Sequence, residues 1–281
     1  GVTVNGKHYS IPVVHPDETG APADLVIVAL KQHNLPDAVK DLKNLVGDET
    51  TLVSVMNGLD SEEYLRAEYG TEKVLYAIAV GIDAVRDGNS VVYTNPGKVI
   101  FGEADNSNPG DRVKRVQQAF ERAGVAYDTP PDMMRMLWWK FMVNVGINQA
   151  SAVLRAPYAA FQEEKEARDL MHSAMGEVIA IAGKAGVRLS EEDMKEFDKV
   201  LARLGPRGKT SMLQDVEAGR KTEVDMLAGT ILALGERYGV ATPLLLAAIL
   251  EIIVLFVIPA EKARIAPIAA ARAIVPEITE D

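Results

Sequence analysis

Apolar and polar residues alternate in short blocks along the first 130 residues of the chain. The runs 24–30 and 51–56 are almost continuously apolar, which is typical of strands buried on both faces of a sheet. Strands that alternate with helices in this way predict a mostly parallel sheet covered by helices. Further strands are predicted at 74–81, 90–94, 98–102 and 126–128, and a turn at 95–97 joins strand 90–94 to strand 98–102. Helices are predicted at 34–45, 61–69 and 111–123.

The pattern changes after Pro130 and Pro131. From there to about residue 280 the chain is rich in Ala, Leu, Met and Glu and keeps helical periodicity. The predicted fold class is therefore α/β plus all-α, with a partial parallel-sheet domain at 1–130 and an all-helical domain at 131–281. The apolar segment 244–258 contains Glu251 and is shorter than the roughly 20 residues of a membrane helix, so we expect a buried or interface helix there.

Composition narrows the classes of function. The net charge of −10 and the pI near 5.0 argue against a nucleic-acid-binding surface and favour a soluble, cytoplasmic protein. The absence of cysteine excludes disulfides, thiolate catalysis and Cys-based zinc sites, and the four histidines lack the spacing of metal ligands. We expect no metal. The chain opens on glycine rather than methionine, so we also expect that its natural beginning lies upstream.

Three polar residues spaced by four stand in an otherwise apolar helical run. A helix turns roughly 100° per residue, so Lys140, Asn144 and Asn148 lie along one stripe of a helix predicted over 137–148. An ammonium and two amides among apolar neighbours cost desolvation free energy unless a polar group meets them. A small polar substrate is one such partner. The alternative is a snorkelling lysine with two inter-helix amide hydrogen bonds.

Two further polar residues follow predicted strands. Lys31 comes after the strand 24–30, and Asn57 comes after the strand 51–56. Ligands of parallel sheets bind at the carboxyl ends of the strands, so both residues are candidates for a site on one edge of the sheet. The alternatives are a solvated charge for Lys31 and an ordinary turn residue for Asn57.

Two polar residues lie near predicted helix starts. Ser211 is near the start of a helix that ends at about Gly219, and Glu223 is near the start of the next helix. Helix starts present free backbone N–H groups and favour anionic ligands. The alternative is that Ser211 is a helix N-cap and Glu223 only complements the helix dipole.

Four stretches of sequence are distinctive when taken together. They run in order from about residue 20 to about residue 245: Ala29-Leu-Lys31, Val55-Met-Asn-Gly-Leu59, Trp139-Lys-Phe-Met-Val-Asn-Val-Gly-Ile-Asn148 and Ser211-Met-Leu-Gln-Asp-Val-Glu-Ala-Gly-Arg-Lys-Thr-Glu-Val-Asp225. In this order they resemble the ketopantoate reductases (2-dehydropantoate 2-reductases), NADPH-dependent enzymes of pantothenate and coenzyme A biosynthesis. The resemblance implies a Rossmann-like first domain and a helical second domain like that of 6-phosphogluconate dehydrogenase.

The resemblance also implies roles for the polar residues of the helical domain. Lys140 would protonate the ketone oxygen as hydride arrives, and Glu223 would bind the substrate hydroxyl. The other polar groups of the substrate would be held by Asn144, Asn148 and Ser211. Burial among apolar residues lowers the pKa of a lysine, whereas a nearby Glu223 carboxylate would raise that of Lys140.

On the cofactor side, the resemblance implies that Lys31 and Asn57 lie between the nicotinamide of NADPH and the substrate. The Gly-x-Gly-x-x-Gly loop with which the family holds the pyrophosphate is absent from the sequence. There are 22 glycines, and no two are separated by a single residue. We therefore expect residues 1–281 alone to bind NADPH weakly.

The implied function is the NADPH-dependent reduction of 2-dehydropantoate to pantoate, impaired in these residues by the missing loop. One alternative is a reductase of another branched 2-keto acid. The other is a noncatalytic helical remnant used for oligomerisation or binding. The expected partners are a small keto acid and a second copy bound through the helical domain, with neither nucleic acid nor a membrane.

Overall fold

The computed structural model describes residues 1–248. The chain forms two compact units that divide between Leu137 and Trp138. The first is α/β and the second is helical, which confirms the predicted fold class. The domain limits 1–130 and 131–281 stay a prediction. The helix predicted at 244–258 lies mostly outside the described residues. The described residues end with a helical stretch at 243–248, which includes the start of that predicted helix.

The first unit is built on a five-stranded sheet. Its order is β3-β4-β5-β8-β9, and only the β5–β8 pair is antiparallel, so the prediction of a mostly parallel sheet is confirmed. The strands are β1 (Val2–Val4), β2 (Lys7–Tyr9), β3 (Leu25–Val28), β4 (Thr51–Ser54), β5 (Val74–Ile82), β6 (Val85–Asp87), β7 (Ser90–Val92), β8 (Pro96–Gly102) and β9 (Tyr127–Asp128), and the helices are α1 (Leu35–Asp41), α2 (Ser61–Tyr69) and α3 (Asp111–Ala123).

Helices cover both faces of this sheet, so its inner strand β4 is buried throughout. Successive side chains of a strand point to opposite faces. Leu52 therefore packs in a core with α1 and α2, and Val53 packs in a second core with α3. Burial on both faces is why this strand is read from the sequence as a continuous apolar run.

A second, small sheet was not predicted. Its order is β2-β1-β7-β6, so Ser90–Val92 pairs with the first strand of the unit and with β6. The prediction that strands 90–94 and 98–102 are a joined pair was therefore wrong. The strand Pro96–Gly102 pairs with β5 instead, because Ile100 and Phe101 are apolar and are buried in the main sheet, whereas the residues of β7 are mostly exposed.

The second unit is organised around one long helix, α7. Helices α5, α6, α8 and α10 pack against it, and its buried face is lined by small and apolar residues. Among residues 1–248, no helix is both long and apolar enough to cross a bilayer. The helices are α4 (Met133–Val143), within which the two units divide, α5 (Gln149–Leu154), α6 (Tyr158–Glu163), α7 (Lys165–Lys184), α8 (Glu191–Leu201), α9 (Ser211–Glu217) and α10 (Val224–Tyr238).

Candidate active site

Lys31 and Asn57 lie at the same edge of the main sheet. Val28 and Ser54 are paired at the carboxyl ends of the parallel strands β3 and β4, and Val55 N donates to Val28 O at 3.0 Å. Lys31 and Asn57 each come three residues after this pair, and both are half-buried. The structure thus places them at the carboxyl ends of adjacent strands, where parallel sheets bind ligands.

Gln32 is a third polar residue at this edge, and sequence analysis missed it. Its Oε1 is buried and accepts no hydrogen bond from any residue of the described chain. A buried carbonyl oxygen without a donor costs free energy, which an N–H group of a ligand would recover. Nothing in the sequence distinguishes Gln32 from a surface residue of a turn.

Lys140 and the two asparagines do not share a regular α-helix. Lys140 is in the last turn of α4, and Asn144–Asn148 forms a π-helical segment before α5. The i→i+5 bonding of this segment gives a wider turn than the α-helix predicted over 137–148, so the regular helix was wrong here, whereas the stripe formed by the three polar residues stays a prediction. Asn144 and Asn148, at the two ends of the π segment, are both buried. Such segments are frequent at functional sites.

Burial lowers the pKa of Lys140 from 10.5 to about 8. Desolvation is the only cause: protein atoms surround the ammonium and disfavour its charged form, although the side chain as a whole keeps some accessible surface. A Glu223 carboxylate near the ammonium would raise this pKa, but no such effect opposes the desolvation of Lys140 among the described residues. The roles of Lys140 and Glu223 stay predictions.

Ser211 and Glu223 begin consecutive helices. Thr210 is the N-cap of α9, since its Oγ accepts a hydrogen bond from Leu213 N at 3.1 Å, so the alternative role of Ser211 as N-cap was wrong. Ser211 is exposed. Glu223 is half-buried at the N-cap position of α10, and its side chain makes no capping hydrogen bond. Both helices pack against the π segment.

A charged pair that sequence analysis missed closes the turn between these helices. The Asp215 carboxylate is buried and accepts a hydrogen bond from Arg220 Nε at 2.8 Å, and Arg220 N donates to Asp215 O at 2.8 Å. Gly219 supplies the left-handed backbone that the turn requires, with φ of 63°. The pair thus joins α9, which begins at Ser211, to the turn that leads to Glu223.

The candidate residues therefore fall into two groups. One lies in the first unit, at the carboxyl edge of the sheet, and comprises Lys31, Gln32 and Asn57. The other lies in the second unit, on the π segment and the elements that contact it, and comprises Lys140, Asn144, Asn148, Ser211 and Glu223.

Two family profiles match the chain. One, described as ketopantoate reductase PanE/ApbA, matches residues 1–106, and the other, the ketopantoate reductase PanE/ApbA C terminal, matches residues 132–253. The chain belongs to the ketopantoate reductase family. The resemblance noted from the sequence is thereby confirmed, and with it the assignment to a family of oxidoreductases.

Relatives of the ketopantoate reductase family cover most of the chain. The 2-dehydropantoate 2-reductase of Aquifex aeolicus (strain VF5) is 28% identical over 225 residues, which are 78% of this chain and 72% of that protein. The enzyme of the same name from Halobacterium salinarum is 28% identical over 80% of this chain and 73% of its own length. The crystal structure of the 2-dehydropantoate 2-reductase from Geobacter metallireducens GS-15 has a TM-score of 0.75 at 28% identity, covering 82% and 77% of the two chains.

More distant structures share the fold alone. D-mandelate dehydrogenase, solved with NADH and anilino(oxo)acetate, has a TM-score of 0.83 at 20% identity and covers 91% of this chain and 85% of its own. This likeness agrees with a Rossmann-like sheet unit and a helical unit. It says nothing of the keto acid that a ketopantoate reductase family member uses.

Proposed function

We propose that the protein reduces 2-dehydropantoate to pantoate with NADPH. The observation that carries the proposal is Lys140: its pKa is lowered to about 8 by burial, and it makes no ion pair within residues 1–248. The buried amides of Asn144 and Asn148 follow it in the π segment. Family membership adds the substrate class, because the relatives are named for this reaction.

Lys140 acts as the general acid. A ketone that becomes an alkoxide needs a proton donor and a positive charge at its oxygen, and an ammonium supplies both. Its lowered pKa matters because a donor works best when its pKa is near the working pH. Asn144, Asn148 and Ser211 bind the polar groups of the substrate, and Glu223 accepts a hydrogen bond from the substrate hydroxyl.

NADPH supplies the hydride when it is bound. We assign its nicotinamide end to the edge formed by Lys31, Gln32 and Asn57. The unpartnered Oε1 of Gln32 suits an N–H donor such as the carboxamide of nicotinamide. The described residues include no glycine-rich phosphate loop, so the assignment covers the nicotinamide end alone.

The test is NADPH oxidation with 2-dehydropantoate by the full-length protein and its Lys140→Ala variant. We expect kcat to fall by about 10²–10⁴. Lys184→Ala, which removes an exposed lysine from the last turn of α7, is the matched control and should leave kcat unchanged. An effect on KM alone would make Lys140 a binding residue. Turnover of another branched 2-keto acid but not of 2-dehydropantoate would favour the alternative substrate.

Glu223→Ala separates binding from chemistry. Because Glu223 contacts a hydroxyl that does not react, its loss should raise the KM for the keto acid with a smaller effect on kcat. A collapse of kcat at unchanged KM would contradict the role given to Glu223.

We further propose a homodimer formed through the helical unit, in the cytoplasm. A ketopantoate reductase of Staphylococcus aureus, with a TM-score of 0.73 and 20% identity, is described as dimeric. The molar mass in solution, measured by light scattering, distinguishes a dimer from a monomer. A monomer that turns over normally would contradict this assembly.

A further inference from the structure

The loop that carries Asn57 is closed by two buried serines. Residues 55–60 connect β4 to α2, and they begin after Ser54 and end before Ser61. The two serines are 0% and 2% exposed, and their Oγ atoms lie 2.7 Å apart. A hydrogen bond therefore joins the two ends of the loop, out of contact with solvent.

The direction of this hydrogen bond follows from its neighbours. Ser61 Oγ donates its single proton to Glu62 Oε2 at 2.8 Å, so Ser54 must be the donor to Ser61. Met56 N, within the loop, donates to Ser54 Oγ at 3.4 Å. Ala77 N, on β5, donates to Glu62 Oε1 at 3.4 Å. Ser61 and Ala77 thus donate directly to the Glu62 carboxylate, which is the last acceptor of the relay Ser54–Ser61–Glu62.

Glu62 is in an unfavourable place for a charge. It is 1% exposed, and within the described chain it forms no ion pair. Burial raises the pKa of this carboxyl, and hydrogen bonds from Ser61 and Ala77 and the charge of Arg66 oppose the rise. A smaller or apolar residue would avoid this desolvation cost. What the carboxylate supplies instead is an acceptor that fixes the orientation of two hydroxyls.

We propose that Glu62 is a positioning residue for the nicotinamide cofactor. Through Ser61 and Ser54 it holds loop 55–60 in one conformation and so places Asn57 at the carboxyl edge of the sheet. This inference rests on the proposed function, in which Asn57 contacts the nicotinamide. Gly58, the next residue, has φ of 102°, a conformation that favours glycine. Glycine restrains the backbone least of all residues, so the loop depends on contacts at its ends to stay in one conformation.

Glu62→Gln tests the relay with little change in volume. An amide has one acceptor and one donor end. If the amide oxygen of the new side chain faces Ala77 N, its NH₂ group donates a hydrogen bond to Ser61. Ser61 must then donate to Ser54, and the Ser54 hydroxyl is left without an acceptor. Ser61→Ala breaks the relay in the middle and keeps Glu62, so it serves as a second variant should the first fold poorly. Glu63→Gln is the matched control, because Glu63 is adjacent and its side chain is 69% exposed.

Two measurements on the full-length protein decide the outcome. The first is amide hydrogen exchange of the peptide that covers residues 55–61. We expect faster exchange in Glu62→Gln and Ser61→Ala and no change in Glu63→Gln, with the rest of the sheet protected as in the wild type. Unchanged exchange in both relay variants would overturn the inference, whatever their activity.

The second measurement is the Kd of NADPH in a double-mutant cycle with Asn57→Ala. We expect Glu62→Gln to raise the Kd by roughly tenfold, as coupled contacts do. In the Asn57→Ala background the same change should add little, since a positioning residue acts through Asn57. Full additivity would overturn the inference and leave the proposed function standing. A normal Kd in Asn57→Ala, together with faster exchange, would instead overturn the cofactor role of Asn57.

Discussion

Gly146, in the π segment, lies directly against Met175 of α7. A Cβ atom at position 146 would be 2.5 Å from Met175 Cγ and 3.1 Å from the carbonyl oxygen of Met171. The missing side chain therefore lets the π segment approach the backbone of α7 closely. Asn144 and Asn148 lie two residues on either side of this contact, so a shift of the backbone at Gly146 would move both amides.

Gly146→Ala should destabilise the protein by about 1–3 kcal/mol, the usual cost of adding a methyl group to a packed core. The displaced amides should also raise the KM for the keto acid. Urea denaturation measures the first effect and steady-state kinetics the second. Gly176→Ala, on α7, is the control: a Cβ there meets no atom within 4 Å, so helix propensity alone should stabilise by about 0.5–1 kcal/mol. Equal effects of the two substitutions would contradict the close contact at Gly146.

The π segment also marks how far the sequence predicts the site. The spacing of Lys140, Asn144 and Asn148 indicates a helix and a polar group of residues, and both are found. Apolar periodicity cannot distinguish an α-helix from one with a single wide turn, because the apolar neighbours are buried in either case. The only local sign is Gly146, a glycine inside an apolar helical run, and such a glycine can equally reflect close packing in a regular α-helix or the approach of a helix end.

Long-range pairing explains what was missed in the first unit. Strands with apolar runs, such as β4 and β5, are predicted to within about two residues because burial on both faces leaves a clear pattern. The short strands β2 and β6 are exposed and β1 is only half-buried, so none of them has such a pattern. They form because Val2–Val4 pairs with residues almost ninety positions later. Glu62 was missed for a similar reason, since an acid in the first turn of a helix normally complements the dipole.

The pH dependence of turnover should report Lys140. A general acid must be protonated, so kcat/KM should be constant below about pH 8 and fall roughly tenfold per pH unit above it, in line with the lowered pKa of the free enzyme. Lys140→Arg keeps the charge but does not lose its proton in this range. Its residual activity should therefore lack this alkaline fall. A wild-type profile that is flat to pH 10 would contradict the role of Lys140 as the acid.

The same lysine should make stability depend on pH. Between pH 8 and 10.5 the unfolded chain holds the Lys140 proton and the folded protein does not, so the unfolding free energy rises with pH in this window. The rise should amount to at most about 3 kcal/mol, from the size of the pKa shift. The Lys140→Met variant should lack this rise in unfolding free energy between pH 8 and 10.5. The measurement is the difference between the denaturation curves of the two proteins at several pH values, and an identical pH dependence would contradict the desolvation of Lys140.

Arg112 should matter for stability and not for catalysis. Its guanidinium donates to the carbonyl oxygens of Asp48, Glu49 and Thr50 at 3.1, 3.2 and 2.9 Å, just before β4 begins. These residues lie at the amino end of the strand, opposite the edge that carries Asn57. Arg112→Gln should therefore cost about 1.5–3 kcal/mol, typical of hydrogen bonds from a charged group, with kcat and KM unchanged.

Arg115→Gln is the control for that experiment. Arg115 pairs with the Glu49 carboxylate at 3.4 Å, and the two side chains are 49% and 81% exposed. An exposed ion pair contributes little, so we expect a loss of about 0.5 kcal/mol or less. Equal losses in the two variants would show that the three carbonyl contacts of Arg112 add nothing beyond surface charge.

The Asp215–Arg220 pair should couple the two helices that carry Ser211 and Glu223. The Arg220 side chain is 58% exposed but that of Asp215 only 7%, so Arg220→Ala leaves a buried carboxylate with one donor fewer. We expect a loss of about 1–3 kcal/mol in the unfolding free energy. We also expect a higher KM for the keto acid, because the turn no longer holds Glu223 in place.

Lys209→Ala provides the comparison for Arg220→Ala. Lys209 pairs with Glu217 at 2.7 Å across the same helix α9, but both side chains are more than 40% exposed. Its removal should cost about 0.5 kcal/mol and leave the KM unchanged. If the Arg220 variant is as stable as the Lys209 variant and has a normal KM, the turn is held by its backbone hydrogen bond and Gly219 alone. If only the KM rises, the pair orients Glu223 without contributing to the stability of the fold.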